Sequence, residues 1–359
     1  MIVIVGGGPV GCFLGYLLAK AGKKVSIYEE HSSIGKPIQC TGIVTKELAN
    51  IIQFKKDFLI NKLNKAEIYS YNNQIQIKVE EYVLDRSRFD QHLANLAVKN
   101  GTRLFLNTKV IEINKNQITI KDKKGIKKIK ADIIIGADGP NSIVSKKINN
   151  IKKENYIGLQ ARVKGNFESD KYKTYFGSNY PEFFAWVVPE SKNMARIGLA
   201  SKNNVKYRFN RFLKKLKVKN KDIIDKQAGL IPIYNKRIKV QKENTYLIGD
   251  AASQVKATTG GGLVFGLKSA KILADCIIKK KNYEKALKSI NRELYIHLFI
   301  RNILNKFNDK DFSNLIKLMN KEKIKKILKQ SSREYPSKLM IKLLLIEPRF
   351  ILFARKILF

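Results

Sequence analysis

The chain has 359 residues, 44% of them hydrophobic, enough for a real core and for two domains or one large domain with an inserted lobe. Its 70 Lys and Arg against 30 Asp and Glu give a formal net charge of +40, but only 13 of the 70 are Arg and the excess accompanies abundant Ile and Asn. That is the bias of an AT-rich genome, and without a zinc finger or an aromatic RNA-binding strand it excludes nucleic acid as a partner; the lack of 18 successive apolar residues excludes a transmembrane helix.

The β-branched run Ile2 to Val5 reads as a strand buried on both faces, and Gly6, Gly8 and Gly11 follow it in a G-x-G-x-x-G pattern. A helical pattern from Cys12 to Ala21 ends at Gly22, and a second strand, Lys24 to Tyr28, ends at Glu29. This β-turn-α-β context makes the glycines informative. Gly6 allows the tight turn, Gly8 lets the backbone approach a pyrophosphate, and Gly11 allows close helix–strand packing. The positive end of the helix then faces the phosphates, and Glu29, 18 residues beyond Gly11, suits an adenosine ribose. A signal peptide is not expected here, because the stretch has no basic start and carries three successive glycines.

Residues 30 to 42 form a Gly-, Pro- and Ser-containing loop that carries Cys40. On composition alone a lone cysteine is a small buried hydrophobe. With Cys12 and Cys276 it makes no disulfide framework and no C-x-x-C, which suits a reducing cytoplasm, and no metal site is expected. Alternation from Lys65 to Glu81 around Asn72-Asn73 predicts a hairpin. A helix then runs to Lys99, with Asp85 as its cap and Arg86 in reach of a phosphate. Short strands follow at Thr102 to Leu106, Lys109 to Ile113, Gln117 to Ile120 and Lys127 to Lys130. Residues 131 to 140 read as a third buried strand beside the first two, running into a Gly-Asp-Gly turn.

From 155 to 240 strand-like stretches recur without long helices, an antiparallel sheet rich in aromatics that could line an apolar pocket or simply pack a core. The chain then returns to a buried strand ending at Gly249-Asp250, and Gly260, Gly261 and Gly262 open a helix to about Lys280. Asp250 can hold a polyol hydroxyl, and the glycine amides can stabilise negative charge on a bound ring. The remainder is helical, basic and amphipathic. Its Leu- and Phe-rich end, Leu339 to Phe359, could lie on an anionic membrane surface or pack as an ordinary helix.

Three separated motifs, the N-terminal glycines with Glu29, GADGPNSIVSK at 136–146 and LIGDAAS at 247–253, resemble the flavoprotein fold shared by aromatic hydroxylases, halogenases and geranylgeranyl reductases. Finer matches resemble the archaeal geranylgeranyl reductases. These are KPIQCTGIV at 36–44, DAASQVKATTGGGLVFGL at 250–267, and Phe184-Ala185-Trp186-Val187-Val188-Pro189 with Gly198-Leu199-Ala200 downstream. Val188 stands where that family usually has Phe. The resemblance implies FAD contacts at Val10, Glu29, Cys40, Thr41, Arg86, Val110, Asp250, Gly262 and Leu263. It also implies a lipid pocket at Phe184, Trp186, Pro189 and Gly198, and it moves Cys40 from core cysteine to a catalytic candidate near the flavin ring.

The expected fold is α/β: a Rossmann-like FAD-binding domain (1–65, 82–154 and 241–281), an antiparallel β-sheet substrate domain (66–81 and 155–240) and a C-terminal helical region (282–359). The expected activity is reduction of geranylgeranyl double bonds in archaeal ether phospholipids. Isolated alkenes need protonation as hydride is added, so the site must supply a dry pocket, a proton and stabilisation of transient positive charge, which the faces of Trp186 and Phe184 offer. Cys40 or a water near Gly260 is the candidate proton donor. No second G-x-G-x-x-G exists, so the reductant is NAD(P)H visiting transiently or a ferredoxin-like protein. The cytoplasmic enzyme would meet the membrane peripherally. The alternatives are a flavin monooxygenase of the same fold and a prenyl-binding carrier without cofactor.

Overall fold

The computed structural model describes residues 1–357, which divide into two compact units. The first unit comprises residues 1–38, 86–154 and 231–295. Its six-stranded sheet has the order Gln241–Lys242, Thr245–Leu247, Ile133–Gly136, Ile2–Val5, Val25–Tyr28, Arg103–Phe105. Every pairing in it is parallel except that of the two-residue edge strand. Ile2–Val5 and Val25–Tyr28 are buried throughout, as β-branched runs in a parallel sheet must be. Ile2 pairs with Val25 on one side and Ile133 on the other, so the chain leaves the central strand at a switch point, where the carboxyl ends of the strands open a crevice. The helix Pro9–Lys20 starts three residues before the helical pattern from Cys12, because Pro9 has the fixed φ suited to a first helical position. Lys109–Asn114, Gln117–Asp122 and Gly125–Lys130 form a separate antiparallel meander.

The second unit comprises residues 39–85, 155–230 and 296 onward. Its eight strands are ordered Ile223–Pro232, Asn155–Lys164, Met194–Ser201, Ala185–Ser191, Lys171–Phe176, Leu59–Ser70, Asn73–Leu84, Ile43–Thr45. The sheet is mixed rather than purely antiparallel, because Lys171–Phe176 runs parallel to Leu59–Ser70. One face carries Ala161, Val187, Ile197 and Leu199 against Phe209, Phe212 and Leu213 of the helix Val205–Lys215, a helix the sequence pattern did not suggest. Each such buried large side chain contributes about 1.5–3 kcal/mol. On the other face Ile68, Ile75 and Ile77 pack with Ile316, Met319 and Leu328 of the helices Asp309–Met319 and Glu322–Gln330.

These divisions correct the sequence boundaries. The hairpin is longer than its alternating stretch: Leu59–Ser70 and Asn73–Leu84 are 12 residues each, turning at Tyr71 (φ 45°) and Asn72. Ile43–Thr45 pairs along its edge, Ile43 with Val83, so residues 39–65 and 82–85 belong with the second unit. Nor is 282–359 a region of its own: residues 282–295 group with the first unit and those from 296 with the second.

Candidate functional site

In the first unit the chain turns at Gly6 (φ +100°), whose N–H donates to the Tyr28 carbonyl at 2.9 Å. A Cβ at Gly6 would stand 2.5 Å from the Ala137 oxygen, and one at Gly11 would stand 2.2 Å from the Gly6 oxygen, so neither position admits a side chain. Gly8 differs: a Cβ there would have nothing within 4 Å. It caps Pro9–Lys20 without any side-chain hydrogen bond, and the first turn holds no acid. The positive end of this helix thus faces open space that a single methyl group would enter, which fits the phosphates of a dinucleotide.

Glu29 stands at the neighbouring strand end with its carboxylate fixed from two sides. Oε2 accepts from Gly7 N–H at 2.7 Å, and Oε1 from His31 N–H at 2.9 Å. Oε1 also meets His31 Nδ1 at 2.5 Å, so Oε2, with one donor, is the oxygen that keeps acceptor capacity for a ribose hydroxyl. Val10 packs beneath Gly249 and Gly266, linking this cradle to a second one. There the Gly249–Ala252 turn presents Asp250, whose carboxylate takes no hydrogen bond from any described residue. Burial raises its pKa while the charges of Arg86 and Lys153 oppose the rise. A Cβ at Gly262 would lie 3.0 Å from Asp250 Oδ1, and Gly262 leads without a side-chain cap into Leu263–Lys279. Asp250 therefore faces a second bare helix start that begins with Leu263.

Other predicted residues have structural partners. Arg86 forms a bidentate pair with Asp90 at 3.0–3.1 Å. Val110 is buried in the meander opposite Ile120, and Asp138 braces the start of Ile143–Ile148, accepting from the hydroxyl of its cap Ser142 at 2.5 Å and from Ile143 N–H at 2.8 Å. Lys153, which the sequence reading missed, donates to the Ala251 carbonyl, and burial lowers its pKa to about 8. No group of His, Cys, Asp and Glu among the described residues could hold a metal ion.

In the second unit Cys40 is half-buried, and its Sγ accepts from Gly42 N–H at 3.3 Å. Thr41 Oγ1 donates to Gln160 Oε1 at 2.8 Å, and Gln160 Nε2 donates to Gln227 at 2.6 Å. Arg196, 4% exposed, donates to the carbonyls of Thr41 and Leu84 and through Nε to Glu190, whose two carboxylate oxygens also accept from Arg162. Burial would raise the Glu190 pKa, but the two guanidiniums hold it below the usual carboxylate range. Nothing local in the sequence marks this cluster; its three charges lie on three strands, Asn155–Lys164, Ala185–Ser191 and Met194–Ser201, that the sheet brings side by side.

Trp186 pairs across the sheet with Gly198. A Cβ at Gly198 would lie 2.6 Å from Trp186 Cζ2 and 2.7 Å from Gln160 Cβ, so the indole fills the space that glycine leaves. Gln160 joins the two features: it touches the Gly198 position and holds Thr41. The cysteine loop and Trp186 therefore share one face of this sheet. Phe184 meets Trp186 edge-on at 5.8 Å. Pro189 does not join them. Strand alternation turns it to the opposite face with its partner Ala195, and its carbonyl accepts from Asn61 at 2.9 Å.

Residues 1–330 match the family model described as lycopene cyclase protein. An uncharacterised protein of Methanocaldococcus jannaschii is 32% identical over 96% of this chain and 94% of its own length. The digeranylgeranylglycerophospholipid reductase 3 of Methanosphaera stadtmanae is 28% identical over 93% of this chain and 96% of its own. A solved geranylgeranyl bacteriochlorophyll reductase-like protein from Thermoplasma acidophilum has the same fold, with a TM-score of 0.85 at 24% identity, covering 97% of this chain and 96% of that one.

Proposed function

The chain belongs to the archaeal geranylgeranyl reductase family and matches the lycopene cyclase protein model over residues 1–330, and on that footing we propose that it is an FAD-dependent reductase saturating the isolated double bonds of geranylgeranyl chains in ether glycerophospholipids. The observation that carries the lipid reading is the aromatic face of the second unit, where Trp186 fills the space above Gly198 beside the Gln160–Thr41 link to the cysteine loop.

FAD, when bound, supplies the hydride. The remaining tasks fall to this chain. The Gly8 turn and the start of Pro9–Lys20 hold the pyrophosphate, Glu29 holds the adenosine ribose, and Asp250 holds a hydroxyl of the ribityl chain. The helix start at Gly262-Leu263 stabilises negative charge on the flavin ring. Trp186 and Phe184 keep water from the prenyl chain, and their faces stabilise positive charge on it by up to about 2 kcal/mol. Cys40 Sγ is the proposed proton donor, held in place by Gly42 N–H. NAD(P)H or a ferredoxin-like protein supplies the electrons, and the enzyme meets its lipid at the membrane surface.

The test is anaerobic: reduced protein is incubated with digeranylgeranylglyceryl phospholipid and the product is weighed. The expected product gains two hydrogens per double bond; an oxygen-dependent hydroxylated product would establish a monooxygenase instead. Cys40→Ala should keep its flavin and lose most alkene reduction, and unchanged turnover would remove Cys40 from the mechanism.

A further inference from the structure

The helix Pro336–Ile346 lies in the second unit with its apolar side outward. Ile341 is 61% exposed, Leu345 78% and Ile346 50%, and the chain beyond adds Ile351 at 60% and Leu352 at 47%. Lys338, Ile341, Lys342 and Leu345 follow i, i+3, i+4, i+7 spacing, so the exposed stripe alternates lysines with large aliphatics. Arg349 and Arg355, both exposed, continue the basic rim. A soluble surface rarely gathers so many large apolar side chains, and a patch of them rimmed by cations marks an interaction site.

Its occupant follows from charge and continuity. An aliphatic stripe flanked by lysines suits the boundary between acyl chains and anionic headgroups, where the side chains insert and the ammonium groups remain in the polar layer. The patch also lies at the end of a row of rings. From Trp186 the row passes to Phe184 (5.8 Å), Phe176 (5.3 Å), Phe312 (5.8 Å), Phe307 (5.2 Å) and Phe353 (5.3 Å), the last adjacent in sequence to the exposed Ile351 and Leu352. Phe176, Phe307 and Phe353 are only partly buried. An acidic protein partner would meet the lysines but not the aliphatics. No helix among the described residues is long and apolar enough to cross a membrane, so the contact lies on the surface.

We propose that this face, centred on Ile341, Leu345 and Ile351, rests on an anionic lipid bilayer and sets the outer end of the ring row against the prenyl tails. The inference deepens the lipid-reductase reading and rests on it for the choice of occupant. The full-length protein is pelleted with phosphatidylglycerol or phosphatidylcholine vesicles at low salt and at about 0.5 M NaCl, where contacts made by charge alone are screened. Wild type should pellet with phosphatidylglycerol and keep part of that binding in high salt. Ile341→Ser/Leu345→Ser, which leaves every charge in place, should lose about tenfold or more of the salt-resistant binding. It should reduce detergent-dispersed prenyl lipid as wild type does and fall behind only on vesicle-borne lipid.

Equal salt-resistant pelleting by the two proteins overturns the proposal. So does a double variant that pellets normally but turns a dimer into a monomer, which would assign the face to a second copy of the chain. If the wild type pellets as expected, the double variant does not, and neither reduces detergent-dispersed lipid, the docking face stands and the reductase reading fails.

Discussion

Arg196 donates a hydrogen bond to the carbonyl of Thr41, 155 residues away in the chain, and thereby ties the cysteine loop to the middle of the second unit's sheet. The same guanidinium holds the Leu84 carbonyl and the Glu190 carboxylate, so loop, hairpin end and sheet meet at one buried cation.

Removing that cation leaves Glu190 paired with Arg162 alone and two carbonyls without their donor. Arg196→Ala is expected to cost about 3 kcal/mol, as loss of one partner from a buried ion pair does. Arg196→Lys should recover only part of it, since an ammonium cannot span the planar fork. Because the folded Glu190 pKa is depressed, its contribution is present above the ordinary carboxylate value and is lost as pH falls through the folded one. Urea unfolding at neutral pH and near pH 4 should show the gap between wild type and Arg196→Ala narrowing in acid.

Gly8→Ala tests the phosphate cradle without touching the fold. With φ at −66° and no atom within 4 Å of the added carbon, alanine fits the protein itself. The variant should unfold at the temperature of the flavin-free wild type yet purify with little or no flavin absorbance. Retention of the yellow cofactor would place the phosphates elsewhere.

Asp250 is strained as an anion when no ligand hydroxyl meets it. Its folded pKa is raised, so its protonated form is favoured in acid and it costs stability as pH rises through the folded value. Asp250→Asn should therefore melt higher than wild type at pH 7 when both lack flavin, and show no such gain in acid. The same variant should bind FAD at least about tenfold more weakly, the loss of a charge-assisted hydrogen bond of about 1.5 kcal/mol or more. Scanning calorimetry and flavin titration read the two effects apart.

The chain has a single tryptophan, so its emission reports on the face proposed for the lipid. Gly198→Ala would push a methyl group into Trp186 and Gln160, at a cost of about 1–3 kcal/mol. It should shift the emission and weaken any spectral response to added prenyl lipid. An unaltered spectrum and titration would remove Gly198 from the pocket.

The turn and bare helix start at Gly8 were legible because their parts are close in sequence. Strand, glycine turn, helix and Glu29 occupy the first 30 residues, and Gly7 N–H reaches Glu29 across only 22 positions. A buried parallel strand such as Ile2–Val5 also leaves a continuous β-branched run that needs no partner to be recognised. Pro189 was read with Trp186 because the two are neighbours in a motif, yet a strand sends odd and even positions to opposite faces, and the register with Ala195 decides which. The hairpin extends beyond its alternating stretch because its outer residues, such as Asn61 and Lys62, do not alternate in polarity.

The sequence by itself determined the glycine turn that leaves open space at the start of the first helix, and that Asp250 and Gly262 would stand near each other at a second turn. These depend on backbone geometry within a few residues. Only the tertiary structure decided that Arg196, Glu190 and Arg162 would hold the cysteine loop, that Gln160 would join this loop to Trp186, and that Ile341 and Leu345 would face outward. Buried charge pairs and exposed apolar faces arise when distant segments pack, and the free energy of a guanidinium leaving water depends on partners that no local pattern names.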